Sequence, residues 1–291
     1  MTEAARAVGL TQPAVTQHLA ALEEGYGVVL AERRGRRLVP TAAGSALFAY
    51  GERIEAVYRE TARAVGEAAG LERYEIGATL TVAEYLMPEV LAALRRSRPG
   101  LELRLRAANT EAVAAGVRRG ELALGLVEGP FDPKGLEAEV LGQDRLVAVA
   151  APGTSLSGRR FEARDFAGLP LLVRERGSGT RSVFEAWLSG RGVDPAALVP
   201  AMEIGSIGTI KSLVERGLGV SVLSELAVAA ELAAGRLVGL HVEGLPVKRD
   251  IVLLRPAGSR GLFAGCFAPV VAELLRGPSP PGALAGAPFQ G

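Results

Sequence analysis

Cysteine and histidine are almost missing from this chain: Cys266, His18 and His241 are the only copies in 291 residues. A lone thiol rules out an intrachain disulfide and gives no sign of an oxidising compartment. Three such side chains so far apart make a metal cluster, a Cys–His pair or a Ser–His triad hard to assemble. Paired carboxylates at a telling spacing are also missing. No catalytic residue, metal site or cofactor is therefore expected. Charge of one sign is lacking too, since 33 Lys and Arg stand against 32 Asp and Glu for a net charge of +1. Any nucleic-acid site must then be local. No apolar run approaches the ~20 residues of a membrane helix. The opening Met1-Thr2-Glu3 has neither the basic nor the apolar region of a signal peptide. The expected location is cytoplasmic, with no membrane partner.

What is present is globular composition, 48% hydrophobic and 22% charged, in a chain long enough for two or three domains. Residues 2–24 read as two short helices around a turn. Gly9 stops the first, Thr11 can N-cap the second, and Pro13 falls near its start, where a missing N–H costs little. Val15, Leu19 and Leu22 recur at helical spacing and predict one buried face. Residues 28–40 then place Arg33, Arg34, Gly35, Arg36 and Arg37 between two short apolar runs, a β-hairpin with an arginine-loaded tip. Thr41 caps a helix to about residue 69. Its Leu47, Tyr50, Ile54 and Val57 step three, four and three, and Thr61, Ala64 and Ala68 continue the seam more weakly. This is a coiled-coil-like stripe on a rod of roughly 40 Å, suited to dimerisation; the alternative is a helix packed on its own sensor domain.

From Tyr74 the pattern is α/β. Strands are expected at 76–80, 101–106, 122–127, 145–151, 170–173, 199–204, 220–223, 237–242 and 250–255. Helices are expected at 84–98, 110–119, 180–192, 207–216, 225–234 and 262–276. Sheets covered on both faces follow from this alternation. Residues 250–276 match the chemistry of the first half, so the chain should cross between two lobes twice, near 147–152 and 244–250. Two crossings make a hinge with a cleft. His241, on an apolar strand, is expected in the core. The Pro- and Gly-rich stretch 277–291 is expected to be disordered.

The segment from Thr2 to Glu24 closely resembles the helix-turn-helix signature of LysR-type transcription regulators. Asn109-Thr-Glu, Gly120-Glu-Leu-Ala-Leu-Gly-Leu-Val, Arg176-Gly-Ser-Gly-Thr-Arg and Ile210-Lys-Ser-Leu-Val-Glu-Arg-Gly-Leu-Gly-Val resemble the same family. The resemblance implies a winged helix-turn-helix at 1–41 and a linker helix at 42–70. A bilobal, periplasmic-binding-protein-like effector domain follows at 74–276, with lobe I at 74–147 and 250–276 and lobe II at 152–244. It implies that Thr11, Gln12, Pro13, Thr16 and Gln17 face the major groove of an operator. Arg33, Arg34, Arg36 and Arg37 would lie on a wing along the backbone or minor groove. Glutamine can bind adenine in bidentate fashion, and arginine supplies affinity more than sequence choice. A homodimer, with dimers pairing into tetramers, is the family's usual assembly. Family members carry a further helix of about twenty residues before this segment. Two readings stay open: a start codon placed too late, or a winged domain without the helix that covers its core.

Polar groups gather where strands end and helices begin: Thr79 and Thr81, Asn109 and Thr110, Glu128, Gly177, Ser178, Gly179 and Thr180, and Ser206. Helix starts favour anions, and glycines let a ligand approach the backbone. The resemblance places an effector between these loops, with a small carboxylate or oxyanion the expected class. For any one of Thr110, Thr180 and Ser206, simple helix capping is the competing reading. The Gly-Ser-Gly-Thr-Arg stretch is neither a Walker loop nor a dinucleotide fingerprint. Two other functions are weighed: a binding protein or enzyme on the same fold, and a regulator that has lost DNA binding and acts by dimerisation alone.

Overall fold

Thr11 caps the helix after the expected turn, as the sequence suggests, and Gly27, which the sequence reading did not single out, ends it. In the computed structural model, which describes residues 5–6, 9–35, 37–259 and 262–276, α1 spans Gln12–Tyr26. The Thr11 hydroxyl accepts from the Ala14 N–H, and Gly27 closes the helix in the left-handed region at φ 67°. Strands β1 (Ala31–Arg34) and β2 (Arg37–Pro40) pair antiparallel, with Arg34 opposite Arg37. Helix α2 (Ala42–Ala68) follows, its Gly44 N–H held by the Thr41 hydroxyl at 3.0 Å. Arg36 of the expected wing, most of the expected first helix and the 277–291 stretch lie outside the described residues. The chain divides into two compact units between Tyr58 and Arg59, inside α2.

One expectation for this unit is corrected. Val15 and Leu19 are half-buried, but Leu22 is 46% exposed and α1 has no buried residue. The described residues cover this face only in part. In the stripe on α2 Leu47 is half-buried, while Tyr50, Ile54 and Val57 are exposed, Ile54 at 71%.

Beyond α2, strand β3 (Arg73–Thr79) leads into α3 (Leu80–Tyr85), α4 (Met87–Ser97), β4 (Glu102–Ala108), α5 (Thr110–Arg118) and β5 (Leu124–Glu128). Strand β6 (Leu136–Ala150) and the short β7 (Arg160–Phe161) come next. Then follow β8 (Leu172–Arg174), α6 (Gly179–Ser189), β9 (Met202–Ile204), α7 (Ile207–Glu215), β10 (Ser221–Ser224) and α8 (Glu225–Ala233). Strands β11 (Val238–Gly239), β12 (His241–Val242) and β13 (Val247–Pro256) and helix α9 (Leu262–Arg276) end the described chain.

The main ladder runs β10-β6-β13-β5-β3-β4, with β11 also on β6. In lobe I, β3 is parallel to β4 and β5, while β13 is antiparallel to β5. One face of that sheet packs Ile76, Leu126 and Leu253 against Met87, Leu94 and Phe267. The other packs Val127 and Leu254 against Val113 and Val117 of α5. Lobe II is likewise covered twice: Phe166, Phe184 and Trp187 lie on one side, and Ile210, Val214 and Val228 on the other. The expected two-faced α/β architecture is what the chain adopts.

The lobe crossings lie inside strands rather than loops. Strand β6 pairs with β13 from Leu136 to Leu146, then hands over to β10 at Leu146–Val149. Strand β13 returns at Val247. One long antiparallel pair therefore carries both connections.

Several boundaries differ from expectation. The expected helix at 84–98 is two helices, because Pro88 has no N–H to donate back to the preceding turn. The strand expected from 145 starts at Leu136, and the one expected at 237–242 is broken at Leu240. His241 is exposed rather than in the core, because β12 pairs with β7 in a register that turns Val242 inward instead.

Candidate functional site

The candidate nucleic-acid element is built on local bonds. The Glu23 carboxylate accepts from the Leu30 and Ala31 N–H groups at 2.7 and 3.2 Å, which ties the end of α1 to the start of the hairpin. The Thr41 hydroxyl donates to the Val29 carbonyl at 2.8 Å from the other side. A side chain at Gly44 would strike the Leu30 carbonyl, so α2 starts in close contact with the hairpin. Thr11, Gln12, Pro13, Thr16 and Gln17 are all exposed, as are Arg33, Arg34 and Arg37. Several of them are engaged locally: the Thr11 hydroxyl accepts from the Ala14 N–H, Thr16 donates to the Gln12 carbonyl, and Arg34 is paired with Glu32 at 2.7 Å. An exposed pair of that kind is weak enough to be exchanged for a phosphate.

The candidate ligand residues come from both lobes and most of them meet. Thr79 and Thr81 hydrogen-bond to the Glu128 carboxylate, and the Thr110 hydroxyl donates to the Glu128 carbonyl at 3.3 Å. Gly179 of lobe II packs so closely that a Cβ there would strike that carbonyl and the Thr110 hydroxyl. Thr79, Thr81, Thr110, Glu128, Ser178 and Thr180 are all buried. Asn109 and Gly177 are half-buried and adjoin each other. Ser206 stands apart: it is exposed, and its hydroxyl caps α7 by accepting from the Thr209 N–H. For Ser206 the capping role is what the geometry shows. Asn109 caps α5 in the same way. Thr79 and Ser178 occupy cap positions without capping through their side chains. Thr110 and Thr180 lie inside their helices and are not caps.

Two residues join this cluster that the sequence reading missed. Arg249 of β13 hydrogen-bonds through Nε and Nη2 to one oxygen of Asp144 on β6, at 2.9 and 2.7 Å. Its Nη1 donates to the Thr180 hydroxyl at 2.9 Å, and its Nη2 lies 3.5 Å from Glu128. The second Asp144 oxygen is buried with no hydrogen-bond partner among the described residues. Burial pushes the Glu128 carboxyl up to about 6; Arg249 and the Thr81 hydrogen bond pull against this, and Asp144 adds to it. No local signal singled them out, since Asp144 stands between Gln143 and Arg145 and Arg249 between Lys248 and Asp250.

A second polar contact joins the lobes. Lys211 of α7 bonds to Glu231 at 2.9 Å, and its ammonium lies 4.8 Å from the ring centre of Tyr85 on α3. A separate pocket of about 440 Å³ on lobe II, between Phe184, Leu198, Arg181 and Glu203, includes none of the expected ligand residues. No group of three metal-ligating side chains, and no helix long and apolar enough to cross a membrane, occurs among the described residues.

Comparisons with known proteins bear on both elements. The family model for the bacterial regulatory helix-turn-helix protein, lysR family, matches residues 1–45, and that for the LysR substrate binding domain matches residues 69–274. The chain is 41% identical over 268 residues to the HTH-type transcriptional regulator CbbR of Xanthobacter flavus, with 90% of this chain and 79% of that one aligned. It is 32% identical over 269 residues to the RuBisCO operon transcriptional regulator of Allochromatium vinosum, covering 91% and 88%. Among solved structures, the Synechocystis PCC6803 CcmR regulatory domain in complex with 2-PG superposes with a TM-score of 0.64 at 25% identity. That match covers 70% of this chain and 98% of the domain.

Proposed function

The chain belongs to the LysR family of helix-turn-helix regulators, and on that premise we propose that it senses a small anionic metabolite between its two lobes. As a member it is a ligand-responsive, DNA-binding transcription regulator and not an enzyme. The proposal extends to its site. Thr79, Thr81, Asn109, Thr110, Glu128, Gly177, Ser178, Gly179 and Thr180 line the effector crevice. Thr11, Gln12, Pro13, Thr16 and Gln17 face the operator's major groove, with Arg33, Arg34 and Arg37 on its phosphates. The observation that carries the reading is the burial of hydroxyls from both lobes around one carboxylate and one guanidinium. Groups so placed discriminate between ligands because an unsuitable one leaves them unpaired.

The CcmR regulatory domain was solved with 2-PG, which makes that anion the first compound to test here. The apolar stripe on α2 supports a homodimer, and we propose pairing of dimers into tetramers in the cytoplasm. Closure of the lobes would bias the spacing of two recognition helices, ideally about 34 Å or a multiple of it. The coupling should be about 1–3 kcal/mol, five- to 150-fold in affinity.

The experiment is a gel-shift titration of the chain on the DNA upstream of its own and neighbouring genes, with and without 2-PG, at several salt concentrations. A steep loss of affinity with salt and a change of affinity or footprint with the anion are expected. Binding that ignores both salt and anion would refute the reading. Light scattering checks the assembly state.

A further inference from the structure

We infer that Arg249 is the cation that reads the effector's charged group, and that the anion binds together with a proton taken up by Glu128. This deepens the effector-site reading above and rests on it. Arg249 is 5% exposed, stands where both connecting strands pass between the lobes, and touches each lobe, Glu128 on one side and Thr180 on the other.

Its bonding is uneven. Nε and Nη2 converge on a single Asp144 oxygen and Nη1 holds Thr180, so two of its five N–H donors have no hydrogen bond among the described residues. The other Asp144 oxygen is buried and unpartnered. A planar donor fork with spare N–H groups beside buried threonine hydroxyls suits a carboxylate or oxyanion.

Charge then sets the coupling. The charged groups facing Glu128 are Arg249 from β13 and Asp144 from β6; β3, α3, α5 and α6 present Thr79, Thr81, Thr110 and Thr180. With both carboxylates ionised the cluster already carries one negative charge in excess. A bound anion would add another in a desolvated space, a cost that a proton from solvent on a Glu128 oxygen removes. The proton returns to solvent when the anion leaves. Glu128 titrates at about 6, so affinity should fall about tenfold per pH unit above that value.

The test uses the full chain with sulfate and, separately, oxalate, whose charges do not change between pH 5.5 and 8. Binding is followed by calorimetry at half-unit pH steps. Wild type should show the tenfold-per-unit loss. Glu128→Gln, nearly the same shape, should bind both anions with no slope, and more tightly than wild type above pH 6. Asp144→Asn removes the competing charge and should bind about tenfold more tightly. Arg249→Lys and Arg249→Gln should lose tenfold or more at pH 6. Should the arginine variants fail to fold, the Glu128 and Asp144 variants still decide.

The same pH slope in Glu128→Gln as in wild type would overturn the proton uptake given to Glu128, and unchanged binding in the arginine variants would overturn the role given to Arg249; either result leaves the effector site standing. If neither anion binds wild type at any pH, the anion-site reading falls and this inference falls with it.

Discussion

Arg249 and Asp144 face each other across β13 and β6, and the guanidinium grips one carboxylate oxygen with two N–H groups at 2.9 and 2.7 Å. Both side chains are 2% exposed. The pair sits where β6 and β13 pass between the lobes, so its energetics belong to the hinge as much as to either core.

Breaking that pair from one side should be costly. Asp144→Ala leaves a buried guanidinium with the Thr180 hydroxyl and the more distant Glu128 carboxylate, and should lower unfolding free energy by about 3–5 kcal/mol. Replacing both partners, Arg249→Met with Asp144→Leu, should recover most of the loss. Urea denaturation of the two variants measures the difference. Equal destabilisation of single and double variants would contradict this account.

Glu128 should make the chain less stable as pH rises. Its folded value of about 6 lies above the ordinary 4.5, so the folded state holds the proton more tightly than the unfolded. The contribution is complete below 4.5 and is lost as pH climbs through about 6. A rise from 4.5 to about 6, at 1.36 kcal/mol per pH unit, amounts to about 2 kcal/mol. Melting temperature between pH 4.5 and 8 should carry this decline in wild type and lack it in Glu128→Gln.

Gly179→Ala should force the lobes apart. The added methyl would collide with the Glu128 carbonyl, which is backbone and has little room to give. A loss of at least 2 kcal/mol is expected, with faster amide exchange along the start of α6. Hydrogen exchange that matches wild type there would show that the contact is looser than described.

The two halves of the DNA element should separate in their effects. Arg33→Ala should weaken binding to all sequences alike and reduce the salt slope by about one. Gln17→Ala should leave that slope alone and relax sequence preference by about 1–3 kcal/mol at one position. A salt titration on cognate and scrambled DNA distinguishes them. Arg34→Ala should act more weakly than Arg33→Ala, since Arg34 must first leave Glu32.

Local chemistry made much of the fold legible. Thr11 and Pro13 mark the start of α1 through capping and a missing N–H, and Gly35 turns the hairpin at φ 65°. The α/β alternation after Tyr74 followed from periodicity. What periodicity blurred was any point where a neighbour decides. Pro88 split one expected helix into two, and the pairing with β7 turned His241 outward.

The candidate site was half visible for a related reason. Thr79, Thr110 and Thr180 stand at strand-to-helix junctions, which sequence can find because the junction itself is local. Arg249 and Asp144 are 105 residues apart and lie within strands; nothing short-range distinguishes them from solvated charges.

Sequence alone therefore determined the order of most elements, the start of α1 and the family, since each depends on neighbours a few residues apart. Tertiary structure alone decided which charges are buried together, whether Ser206 belongs with the threonines, and how the lobes touch. Those outcomes depend on desolvation and on the register of β6 against β13, and both come into being only when distant segments meet.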